Sequence, residues 1–127
     1  MTMIEIGDKD FLRSKLVEPA WYHLHIEDVT EAISKDGGST NWLMEATIVK
    51  NADNGSTEFT GVPVTWNFNS KAPGFAIGFF QALGENVEPG RYDLESAKGK
   101  DIEAYIKNDT YQGRMLNRVE HQYRPVK

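Results

Sequence analysis

The sequence contains no cysteine. That excludes disulfide frameworks and thiolate metal sites. No apolar run approaches the roughly 20 residues that a membrane-crossing helix needs. The opening MTMIEIGDKDF lacks the basic-then-apolar order of a secretory signal, since Glu5 and Asp8 fall where the apolar stretch would lie. Internal repeats and low-complexity segments are absent as well. Catalytic motifs are equally scarce. There is no G-x-S-x-G, no P-loop-like glycine run, and no pair of acids placed as an acid/base couple. These absences lead to the expectation of a cytoplasmic protein with no membrane role, no cofactor and no enzymatic activity.

What is present describes one domain. A chain of 127 residues can bury a single core, and its 39% hydrophobic and 26% charged residues are ordinary for a globular fold. Residues 1–18 read as a short helical or irregular lead-in closed by Pro19, and residues 19–127 as the domain proper. Strand periodicity then recurs. In AWYHLHIEDV the apolar Tyr22, Leu24 and Ile26 alternate with Trp21, His23, His25 and Glu27. WLMEATIVKN places Trp42, Met44, Ala46 and Ile48 on one face, and FTGVPVTWNFN does the same with Val62, Val64, Trp66 and Phe68.

Loop chemistry separates these strands at SKDGGSTN and at ADNGSTE, whose Asn54-Gly55 is a strong hairpin signal. Pro63 cannot donate to a ladder and marks its strand as an edge or a bulge. SKAPGFAIGFFQALG changes period: Phe75, Phe79 and Leu83 recur at helical spacing, opened by Pro73 and closed by Gly84. KDIEAYIKN is expected to bury Ile102, Ala104 and Ile106 and to show Glu103, Tyr105 and Lys107 to solvent. The turn DTYQG then carries the chain into RMLNRVEHQY.

Three strands, a helix and a closing hairpin is the order of a mainly β, five-stranded OB-like barrel with one short helix between strands three and four. A β-sandwich with one helix fits the same string.

The net charge is −5, yet it is unevenly spread. From Lys98 onward seven basic residues face four acidic ones, a local +3 that leaves −8 for the rest of the chain. Such asymmetry suggests an anionic partner on one face. Trp21, Phe59, Tyr105 and Tyr111 offer rings on outward positions, with Lys107, Arg114, Arg118 and Arg124 near them in sequence. Bases stack on such rings irrespective of identity, and cations beside them meet phosphates. Thr65 and Asn67 would face the same groove, flanked by the loops at 34–41 and 109–113. His23, His25 and Glu27, with His121 as a third imidazole, form a weaker candidate for a metal site. Ordinary alternation on a half-exposed strand explains the same residues.

FTGVPVTWNFN, KAPGF…FFQALG, Gly99-Lys100 and YQGRMLNRVEHQYRP together resemble small phage-encoded single-stranded DNA-binding and replication-accessory proteins. The closing strand carries the match at Gly113, Asn117 and Val119, and the likeness spans about residues 19 to 125. The resemblance implies an OB-like barrel that binds single-stranded DNA with little sequence preference during phage replication or recombination, in the host cytoplasm. It also implies replication or recombination proteins as partners. Many such proteins end in an acidic tail, whereas this chain ends HQYRPVK. A protein–protein module, such as a phage inhibitor of a host enzyme or a virion component, is the alternative. Pairing of edge strands into a homodimer stays open.

Overall fold

A computed structural model describes residues 2–127. Five antiparallel strands form one sheet: β1 (Ala20–Ile33), β2 (Thr40–Asn51), β3 (Pro63–Asn69), β4 (Asp101–Tyr111) and β5 (Arg114–Arg124). Their order across the sheet is β3-β2-β1-β4-β5, so β3 and β5 are its two edges. Helix α1 (Asp8–Ser14) precedes the sheet. Helix α2 (Phe75–Ala82) and a 3-10 turn (Leu94–Ala97) lie between β3 and β4. No helix among the described residues is long and apolar enough to cross a membrane.

The two-residue alternation read in the sequence builds the core. Tyr22, Leu24 and Ile26 of β1 are buried with Met44, Ala46 and Ile48 of β2, and with Ile102, Ala104 and Ile106 of β4. Register shifts at His23/Leu24 and Ile26/Asp28 on β1, and at Ala104/Ile106 on β4, mark bulges that bend the long strands. The bending brings the two edges face to face without a backbone ladder between them. Trp66 and Phe68 of β3 meet Tyr123 of β5 with ring centroids 6.5 and 6.2 Å apart, and Phe68 lies 5.4 Å from His121. Phe79 of α2 sits against this seam, 5.1 Å from Phe68 and 5.3 Å from Tyr123. The sheet is therefore not closed by hydrogen bonds.

Several local expectations are corrected. The third strand starts at Pro63, because Phe59 to Gly61 turn and Gly61 takes φ +89°. Pro63 does open an edge strand. Asn54-Gly55 forms a turn, but inside a connection spanning 52–62 and not as a two-residue hairpin. The last turn is tighter than DTYQG suggested. Only Gln112 and Gly113 form it, at φ +51° and +76°, and Tyr111 is the final residue of β4 and not the loop tip. The apolar stripe of α2 is buried only in its second turn, at Phe79, Phe80 and Ala82, which leaves Phe75 57% exposed. Glu103 is 2% exposed where solvent was expected. Its carboxylate is covered by the Arg124 guanidinium and by the backbone N–H of Lys127.

The lead-in is tied to the sheet. Val17 belongs to the core, and its backbone is held by two asparagines of the last hairpin. β1 pairs β4 only from Asp101 to Ile106, so beyond that point β4 and β5 continue as a two-stranded arm.

Candidate nucleic-acid interface

The outward residues fall into two groups, separated along β4. Trp21 and Tyr105 stand directly opposite each other on β1 and β4, their rings edge to face at 5.8 Å. Arg124 covers the indole from above, its guanidinium carbon 4.4 Å from the ring centroid. That cation is also shared by two carboxylates, Glu103 at 2.5 Å and Asp53. Two of its five N–H donors are spent on these acids, whose charges also offset its own. Trp21, Tyr105 and Arg124 thus form one cluster.

Tyr111 lies six residues farther along β4, about 20 Å at roughly 3.3 Å per residue. Here the arm and the outer face of β3 enclose a groove of about 360 Å³. Tyr111, Asp109 and Arg118 line the arm side, and Thr65 and Asn67 line the β3 side. Tyr111 is 65% exposed. Arg114 pairs with it across the turn, is exposed, and has no ion-pair partner among the described residues. Arg118 instead donates to Asp109 Oδ2 at 2.6 Å. That hydrogen bond, with a second from the Thr110 backbone, holds the Asp109 carboxyl below the usual carboxylate range. Lys107 is bound to Glu120 at 2.5 Å.

The structure thus brings Tyr111, Arg114 and Arg118 together, and sets Thr65 and Asn67 opposite them. It gathers Trp21, Tyr105 and Arg124 elsewhere on the sheet. Phe59 joins neither group: its ring packs inward on Tyr22 at 6.3 Å, with Lys15 Nζ 5.4 Å above it.

The histidines also separate. His23 Nε2 and His25 Nδ1 are hydrogen-bonded to the two oxygens of Asp101, at 2.7 and 2.5 Å. Glu27 accepts from the Thr47 hydroxyl. His121 lies at the seam against Phe68 and Phe75, where burial, and secondarily the charge of Arg118, pushes its pKa down. Among the described residues no three histidines or carboxylates are arranged to hold a metal.

Sequence reasoning missed how His121 and Phe75 combine, although each stood out alone. His121 adopts φ +51° at the bulge of β5, a left-handed conformation uncommon for a non-glycine residue. No residue pattern announces it. The sequence matches no protein-family model, and no curated protein matches it.

Proposed function

We propose that this domain binds single-stranded DNA with little sequence preference, in the service of phage replication or recombination as the sequence resemblance implies. The observation that carries the reading is the groove between β3 and the β4–β5 arm. It sets an exposed Tyr111 ring beside Arg114 and Arg118, opposite the hydrogen-bonding side chains of Thr65 and Asn67. A base stacks on the tyrosine, phosphates meet the arginines, and the amide and hydroxyl contact base or sugar edges. Within this reading the sheet is an OB-like barrel. Its two edges, β3 and β5, are the strands that such a barrel would bring together, and the groove lies between them.

The test is fluorescence anisotropy of a labelled thirty-nucleotide poly-dT, with an equal-length duplex as control, at low and moderate salt. Binding to the single strand alone, weakening steeply with salt, is the expected result. No binding at low salt overturns it.

A second reading has one observation of its own. Met3, Ile4, Ile6 and Phe11 are exposed along an acidic segment that also carries Glu5, Asp8 and Asp10. An apolar, acidic stretch suits a protein partner and repels DNA. A partner captured through it would bind with no counterion-release slope.

A further inference from the structure

We propose that the bound single strand runs beyond the arm groove, over the ring of Phe75, into a second cleft beneath α2, with Phe75 as the stacking platform for one base. This rests on reading the arm groove as a single-strand site.

The second cleft is the larger cavity, about 820 Å³, between α2 and the connection 87–94. Its walls include Trp42, Ile77, Phe80 and Tyr92, with Phe80 and Tyr92 rings 5.2 Å apart and inclined by 35°. Arg91 lines it and has no ion-pair partner among the described residues; Glu88 is the acid beside it. The exposed Tyr92 ring, backed by buried Phe80 and accompanied by Arg91, offers a surface for a base and a cation for a phosphate.

The two cavities share a wall. Along β3, Thr65 and Asn67 line the arm groove, and the next residues, Phe68 and Asn69, line the cleft. A second bridge crosses the seam. His121 lines the groove and carries the Phe75 ring at 4.7 Å, the planes inclined by 30°. Gly74 and Ala76, on either side of Phe75, line the cleft.

Phe75 therefore lies against an imidazole that lines the groove, is more than half exposed, and sits between two residues that line the cleft. Phe75 is 57% exposed, whereas Phe79 and Phe80 on the same helix are buried. The backbone beneath it is held in an unusual state. His121 has a left-handed backbone at φ +51°, and its ring touches Phe68 and Phe75 and is 3.0 Å from the Tyr123 hydroxyl.

The experiment measures poly-dT affinity for the unaltered protein and for Phe75→Ala, Phe75→Leu, Arg91→Ala and Tyr111→Ala. Phe75→Leu keeps an apolar cover over His121, so it separates lost stacking from lost folding. Phe75→Ala is expected to weaken binding by about 5- to 150-fold, the range for one base–aromatic stack, and to leave the salt slope unchanged. Phe75→Leu is expected to weaken it as well. Arg91→Ala should flatten the salt slope by about 0.7, the value of one phosphate contact on a single strand. If Tyr111→Ala weakens binding while both Phe75 variants bind as the unaltered protein does, the strand stops at the arm groove and the extension is wrong. If the unaltered protein does not bind poly-dT, the groove reading and its extension fall together.

Discussion

Asn117 holds Val17 at 3.0 Å, its side-chain oxygen accepting the Val17 backbone N–H. The same amide donates to the Lys15 carbonyl at 2.9 Å, and Asn108 donates to the Val17 carbonyl at 2.9 Å. Two side chains of the arm thus act as a strand partner for a lead-in that has none. Asn117→Ala orphans the N–H of a residue in the core. It is expected to destabilise the fold by about 1–3 kcal/mol, read from chemical denaturation. The DNA salt slope should stay unchanged, since no cation is lost.

Arg124, a candidate for a phosphate contact, is also the cation that covers a buried acid. Arg124→Ala leaves the buried Glu103 carboxylate without its cation. A loss of about 3 kcal/mol in stability is expected, the lower end for breaking a buried pair. Urea melts of Arg124→Ala and of the double variant Arg124→Ala/Glu103→Gln check this. The second change should restore part of the loss, because it removes the stranded charge.

Tyr111→Ala should weaken poly-dT binding by about 1–3 kcal/mol. Arg114→Ala should lower affinity and flatten its salt dependence by about 0.7. Both side chains are exposed, so thermal melts should barely move. Equal salt slopes for Arg114→Ala and the unaltered protein would remove Arg114 from the interface.

Asp109 competes with any phosphate for Arg118. Asp109→Asn frees the guanidinium and removes a negative charge from the groove. Affinity for poly-dT should rise by about two- to fivefold at low salt, with the gain shrinking as salt is added. A fall in affinity would mean that Asp109 positions Arg118 and does not mask it.

The pair of imidazoles on Asp101 gives stability a bounded pH window. The His25 pKa is raised, chiefly by its hydrogen bond to Asp101, so its contribution is complete below about 6.5, the ordinary histidine value, and is lost as pH climbs through the raised one. At Asp101 burial works upward, but the hydrogen bonds from His23 and His25 outweigh it and the pKa falls. That contribution is complete above the ordinary aspartate value and disappears as pH falls through the lowered one. Melting temperature should therefore decline on both sides of a mildly acidic plateau, and Asp101→Asn should flatten the profile.

Much of the sheet was legible because half-buried strands write their burial with period two. Tyr22, Leu24 and Ile26, or Ile102, Ala104 and Ile106, leave no alternative face. The site was less legible, because each candidate cation depended on a partner that only folding supplies. Arg124 meets Asp53 across 71 positions of sequence, and Arg118 reaches Asp109 across a turn whose length was overestimated. Gln112-Gly113 carries two positive φ angles as an Asn-Gly pair would, without that pair's familiar signature. The exposure of Phe75 was hidden for a related reason. Helical spacing reports which residues share a face but not where along a two-turn helix the core ends.

The seam between β3 and β5 is fastened by rings and not by a ladder, and rings have no register. Trp66, Phe68, His121 and Tyr123 meet there through ring contacts, and no backbone ladder sets how far apart the two edges stand. The spacing between the two edges is expected to yield more readily than the spacing of hydrogen-bonded strands. A purine and a pyrimidine differ in size by a whole ring, and if the groove takes single-stranded DNA, a yielding wall would accept either. Indifference to sequence would then be a mechanical property of the seam, set by the absence of a bond that a fully closed sheet would have made.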